Sequence, residues 1–181
     1  MRSSYFAAKF NGLEVSNSTG PGVFALNGGA IQGNDWNLHN NGKEGFYLES
    51  AATIVDGLEL SNNGDSGVHI NDARYVYLSN LTSYDNAEAG MEFTKANDIE
   101  SSSGDVRCTH CTVLGNSRGV SITDSVDIYL TELNVHDPLS GSAIDIDNQG
   151  LNIGIQGGLF NLHDVKVWTC LLYTSPSPRD A

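Results

Sequence analysis

Residues 45–48 read Gly-Phe-Tyr-Leu, residues 67–70 Gly-Val-His-Ile, residues 90–93 Gly-Met-Glu-Phe and residues 119–122 Gly-Val-Ser-Ile. Each is a glycine followed by apolar, variable, apolar. Ala143-Ile144-Asp145-Ile146 is a related copy, and Gly22-Val23 opens a less regular one. The starts at 22, 45, 67, 90, 119 and 143 are separated by 23, 22, 23, 29 and 24 residues. Self-similarity at such a period is the signature of a repeat architecture. The single long interval implies one insertion of about six residues, most simply within 101–107.

Other positions keep the same phase. Six residues after each start stands a small residue in most copies (Gly28, Ala51, Ala73, Ala96, Ser125), and nine after stand Ile31, Ile54, Val76, Ile99 and Ile128. Three or four residues before a start stand Asn41, Asn63, Asn86 and Asn116. Period-2 alternation marks short strands, whereas Gly and Asn between them mark tight bends with unusual backbone angles. No segment offers an amphipathic helix of useful length. Three short strands and their bends fill one coil, and each coil buries its apolar face only against its neighbours. The pattern predicts an all-β chain, a single-stranded parallel β-helix of about six to seven coils of 22–29 residues. Right-handed winding follows from the crossover rule.

Composition agrees. Of 181 residues, 17% are charged and 8% aromatic, yet 20 are Gly and 18 are Asn. No run approaches the roughly 20 apolar residues of a membrane helix, and no Lys/Arg block suggests nucleic acid. A formal charge of -13 repels polyanions, so an anionic substrate would need a bridging cation such as calcium.

The Gly-Val-x-Ile strand, small residue, Ile and Leu-x-Leu-Ser-Asn-Asn type segment resemble the right-handed β-helix repeats of the pectate-lyase-like superfamily, over about residues 12–163. The resemblance implies an internal asparagine ladder for the aligned Asn column. It also implies a carbohydrate-associated protein, placed by family outside the cell or at its surface, with a polysaccharide or glycan surface as partner.

Alternation puts Phe46/Leu48, Val68/Ile70, Met91/Phe93, Val120/Ile122 and Ile144/Ile146 inside. One outward column is then Tyr47, His69, Glu92, Ser121 and Asp145, and the next Glu49, Asn71, Thr94, Thr123 and Asp147. With coils stacked at roughly 4.8 Å, His69 and Glu92 are neighbours and Glu92 and Asp145 stand roughly 10 Å apart. Such separations bracket those of two-carboxylate glycoside chemistry. The candidate catalytic residues are Glu92 or Asp145 as general acid or base, with His69 as auxiliary. Tyr47 would stack a sugar, and Asn71 and Ser121 would bind substrate beside it. The competing explanation is that a β-helix must face water with polar groups, and acids abound in this chain.

The hydrolase signatures of the superfamily, Asn-Thr-Asp, paired Asp and Gly-His-Gly, are missing apart from the fragment Asn71-Asp72, and the outward columns hold no Lys or Arg lyase base. Calcium has one candidate site, the oxygen ligands Asp145, Asp147 and Asn148, although their spacing is not that of an EF-hand. Cys108-Thr-His-Cys111 is a lone CxxC. A redox pair, half a zinc site and a local disulfide all fit it, while Cys111 shares the core phase of Trp36 and Leu58, as a buried small apolar residue would.

Residues 170–180 read CLLYTSPSPRD and break with the body of the chain, carrying two of its four Pro and one of its three Cys. Back-translated, they resemble read-through of a sequencing adapter. The expected organisation is therefore a β-helix domain over 1–169, a fragment of a longer protein, and a non-native tail over 170–181. Two functions remain open at this point: an extracellular polysaccharide lyase, hydrolase or epimerase acting through the outward strand face, and a non-catalytic adhesin or tail-fibre-type segment.

Overall fold

The computed structural model of the chain describes residues 7–26, 29–96, 105–125, 127–147, 160–163 and 166–168. The calcium candidate Asn148, the small residue Gly28 and the tail 170–181 lie outside them. In chain order the strands are β1 (Ala7–Asn11), β2 (Glu14–Ser16), β3 (Val23–Leu26), β4 (Ala30–His39), β5 (Phe46–Glu49), β6 (Ala52–Ser61), β7 (Val68–Asn71) and β8 (Val76–Tyr84). They continue as β9 (Ala89–Thr94), β10 (Val106–Leu114), β11 (Arg118–Thr123), β12 (Ile128–His136), β13 (Ile144–Asp147), β14 (Phe160–His163) and β15 (Lys166–Trp168). Among the described residues there is no helix, so none is long and apolar enough to cross a membrane.

All pairing is parallel and between successive coils. One sheet runs β1-β4-β6-β8-β10-β12-β14, with β2 on β4 and β15 on β12; the second runs β3-β5-β7-β9-β11-β13. The molecule is an all-β parallel solenoid of about six turns.

What bends each coil is a set of single residues in the left-handed region. The long strands of the first sheet are folded at aligned positions Asp35, Asn80, His110 and Glu132, with φ between 51 and 56°, and at Gly57 with φ 73°. A second column, Asn17, Asn40, Asn62 and Asp85, ends those strands, and a third, Ser50, Asp72, Lys95 and Asp124, follows the second sheet. Asn and Asp tolerate this conformation better than other non-glycine residues, which accounts for much of their abundance here. Lys95, Glu132 and Tyr75 adopt it with φ 49, 53 and 57°, held there by the ladders on either side.

The repeating glycines have a different reason. Gly45, Gly67 and Gly90 are not among the positive-φ residues. A Cβ on Gly45 would lie 2.8 Å from Asn63 Nδ2 and 2.8 Å from the carbonyl of Gly67, and one on Gly90 would lie 2.8 Å from Asn116 Nδ2. They make room for the asparagine of the next coil.

Those asparagines form a continuous buried ladder. Asn41, Asn63 and Asn86 donate Nδ2 to the Oδ1 of Asn63, Asn86 and Asn116 at 3.1, 2.9 and 2.9 Å. Each Oδ1 also accepts the backbone N–H of the asparagine before it, at 3.1, 3.0 and 2.9 Å. The second Nδ2 hydrogen goes to a main-chain carbonyl, that of Leu38 for Asn63 and Leu60 for Asn86. The amides of Asn63 and Asn86 thus each make at least four hydrogen bonds in a place closed to water.

The core lies between the sheets in stacked rows. Phe46, Val68, Met91 and Val120 form one row and Leu48, Ile70, Phe93 and Ile122 the next, all buried. Each such side chain contributes about 1.5–3 kcal/mol from burial. In the last copy Ile144 is half-buried, and Ile146 is 43% exposed rather than enclosed. β13 is the edge strand of its sheet among the described residues, so no described coil covers it.

Two registers differ from the expected ones. Val106 and Arg107 belong to β10 and pair with Val76 and Tyr77. The extra residues therefore precede Val106, and Val106 takes the place expected of Ile99. Thr53, not Ile54, pairs with Val76; Thr53 is buried and Ile54 is 52% exposed. The coil starting at 45 is one residue shorter than its neighbours, and a one-residue shift reverses which side chain faces inward.

Candidate functional site

The outward face of the second sheet gathers the chemistry-bearing side chains. Register places Phe24, Tyr47, His69, Glu92, Ser121 and Asp145 in one row across β3, β5, β7, β9, β11 and β13. The neighbouring row is Leu26, Glu49, Asn71, Thr94, Thr123 and Asp147. Both rows exist because alternate residues of a strand share a face and parallel coils keep register.

At its N-terminal end the face is aromatic. The rings of Phe24 and Tyr47 are tilted with centroids 5.2 Å apart, and Tyr47 meets His69 edge-on at 5.0 Å. Phe24 is 55% exposed. The Tyr47 hydroxyl donates to Glu49 Oε2 at 3.0 Å and accepts from Asn71 Nδ2 at 3.1 Å. Burial, reinforced by Glu49 although opposed by Asn71, raises the Tyr47 phenol above its ordinary pKa, so it stays protonated at neutral pH. An open groove of about 530 Å³ runs beside these rings, lined by Pro21, Phe24, Lys43, Glu44, Tyr47 and Glu49.

The next coils supply a titratable cluster. His69 Nδ1 stands 3.7 Å from Glu44 Oε1 and 4.0 Å from Glu92 Oε2, while its Nε2 is 3.3 Å from Thr94 Oγ1. Ser66 Oγ donates to the same Glu92 oxygen at 2.7 Å. Glu44 is buried. The imidazole of His69, donating toward its carboxylate, outweighs burial and holds Glu44 below the usual carboxylate range. Asp65 is pushed the other way, by burial first and then by the negative charges of Glu44, Glu92 and Glu88. His69 thus lies between two carboxylates, Glu44 and Glu92.

Of the sequence candidates, His69 and Glu92 are thus brought together, and Tyr47 and Asn71 join beside them. Asp145 stays apart, exposed on β13 two strands from Glu92. Ser121 sits between them in register but is only 5% exposed, which leaves little surface for a ligand. Asp145 and Asp147 share the exposed strand β13, and among the described residues no three His, Cys, Asp or Glu side chains converge as a metal site. Glu44, Asp65 and Ser66 were not expected here. They lie in the bends before β5 and β7, where strand alternation does not set side-chain direction; the only signal was their place just ahead of each repeating glycine.

Cys108 and Cys111 are both buried and joined in a disulfide, with Cα atoms 6.2 Å apart. His110 between them turns outward at the corner and pairs with Glu132 at 2.7 Å. Of the readings open for the CxxC, the disulfide is the one formed, and Cys111 stacks on Leu81 and Leu133 as the core phase implied.

No curated protein and no solved structure matches the chain. The family described as "Right handed beta helix region" matches residues 2–160, nearly the whole of the solenoid. The chain belongs to the right-handed β-helix family.

Proposed function

We propose that this chain is a glycan-binding β-helix module of a carbohydrate-associated extracellular protein, and that the ligand lies along the outward face of the second sheet. The observation that carries this reading is the row of rings Phe24, Tyr47 and His69 beside an open groove edged by Glu44 and Glu49. A pyranose offers an apolar C–H face to a ring and hydroxyl donors to carboxylates, and the face supplies both. Among the described residues, the corners beside it are made of single left-handed residues and raise no loop walls. That openness favours binding along a surface over an enclosed catalytic cleft. The buried disulfide supports an oxidising, extracellular setting.

A lyase, hydrolase or epimerase activity is the second reading, and the His69 pair with Glu44 and Glu92 is what favours it. Proton transfer would be carried by His69, with Glu92 beside it.

Binding is tested by calorimetry against a panel of neutral, amino and uronate oligosaccharides, with each glycan also assayed for cleavage with and without calcium. Tyr47→Ala should weaken binding about tenfold or more, the order expected for loss of one stacking ring, without lowering the melting temperature by more than a few degrees. Unchanged affinity in Tyr47→Ala would remove this face as the site.

A further inference from the structure

Resting on the glycan reading, the charge around the aromatic platform narrows the ligand. The groove holds Glu44 and Glu49 against a single cation, Lys43. Asp65 one coil further along and Glu92 two coils along add two more carboxylates, and Arg118 is already engaged by Glu88 at 3.3 Å. Asp65 lies within the field of Glu44, Glu92 and Glu88, so negative charge is crowded here more than the adjacent cations neutralise. The whole chain carries -13. A uronate approaching this face meets like charge at the point of contact and in the long-range field.

Glu49 and Glu92 are outward-facing strand carboxylates on this face, both half-exposed. Glu49 accepts from the Tyr47 hydroxyl at the edge of the platform. Glu92 accepts from Ser66 through one oxygen, with His69 4.0 Å away. A carboxylate has capacity for several donors, so each has lone pairs to offer a ligand. We infer that the bound glycan is a cationic one, an oligosaccharide of free-amine hexosamines whose sugar rings stack on Phe24 and Tyr47 and whose ammonium groups sit against Glu49 and Glu92. An ammonium brings three donors and a positive charge to that edge, whereas an N-acetyl group brings one donor and no charge.

The probes are a chitosan hexamer, its fully N-acetylated counterpart and an oligogalacturonate of equal length, titrated by calorimetry at a pH where the amines are protonated. The chitosan hexamer should bind about tenfold or more tighter than the acetylated one, lose affinity as salt is raised, and leave oligogalacturonate undetected. Glu49→Gln, which keeps an acceptor for the Tyr47 hydroxyl, should cost about three- to fivefold for chitosan, the range of a partly exposed ion pair, and a smaller factor for the acetylated oligomer, so that the preference between the two narrows. Equal binding of the amino and acetylated oligomers would leave the glycan face standing and overturn its cationic specificity. Tighter binding of oligogalacturonate would overturn it as well. Failure of all three probes would overturn both readings together.

Discussion

Replacing Asn63 by Leu tests what holds the coils in register. The side chain is 2% exposed and stands at the centre of the ladder. Its Oδ1 accepts from Asn41 N and Asn41 Nδ2, both at 3.1 Å, and its Nδ2 donates to Leu38 O and Asn86 Oδ1. Asn86 Oδ1 keeps the backbone N–H of residue 63 as a donor, so the main loss falls on the two donors of Asn41. Each orphaned buried donor costs about 1–3 kcal/mol, giving about 2–6 kcal/mol in all. Against a total stability on the order of 5–15 kcal/mol, that is a large fraction. In urea, with a slope of about 2–3 kcal/mol per molar, the midpoint should fall by roughly 0.7–3 M, followed by circular dichroism. The control is Asn62→Gly next door, an exposed residue with φ 53°, where glycine keeps the conformation at little cost. Should Asn63→Leu move the midpoint no further than Asn62→Gly, the ladder would be a passive ornament of the fold and the reasoning above would fail.

Four other outcomes follow from the same structure. Gly67→Ala should lower the melting temperature by several degrees, since its Cβ would stand 2.7 Å from the carbonyl of Gly90 and 2.9 Å from Asn86 Nδ2, whereas Gly20→Ala, with nothing within 4 Å, should leave it unchanged. Glu44, whose pKa is depressed in the fold, contributes stability that is present above its ordinary value of 4.5 and lost as pH falls through the folded value; Glu44→Gln should therefore flatten the acid limb of a pH–stability profile. Asp65, raised in the fold, opposes folding once ionised, so Asp65→Asn should stabilise the protein at pH 7 and lose that advantage in acid. Removing the disulfide by Cys108→Ala with Cys111→Ala should cost about 2 kcal/mol for a loop this short, read as a loss of about 4–8 °C in a thermal melt; no change would show that the bond adds nothing to the corner.

The repeat was legible because its two strongest signals are local. Alternation at Phe46/Leu48 or Val68/Ile70 follows from the pleat alone, and a column of asparagines at fixed phase has few uses other than stacking. What escaped was decided between coils. The repeating glycines look like bend residues, yet Gly45 and Gly90 are there because an amide of the next coil occupies the space of a side chain. Ile54 looks inward until the missing residue in its coil turns it out and Thr53 in. No propensity would place Lys95, Tyr75 or Glu132 in the left-handed region; aligned ladders on both sides impose it. At the candidate site Tyr47, His69 and Glu92 were readable from alternation, while Glu44 was not, since its direction is set by the bend that carries it toward His69.

The ladder also decides where this solenoid can change. Four successive coils return an asparagine, Asn41, Asn63, Asn86 and Asn116, to the same point on one corner, so an added or lost residue there would break contacts in two neighbouring coils at once. The corner after the second sheet asks only for one left-handed residue, Ser50, Asp72, Lys95 or Asp124, and a small buried one, Ala51, Ala73, Ala96 or Ser125. The extra length between Ala96 and Val106 enters at that corner, and β10 resumes its pairing with β8 and β12 as if nothing had been added. Evolution, or an engineer, thus has one corner that is copied and another that can be written on. New loops grafted after Ala73 or Ser125 would grow alongside the aromatic and acidic face without disturbing the backbone that displays it.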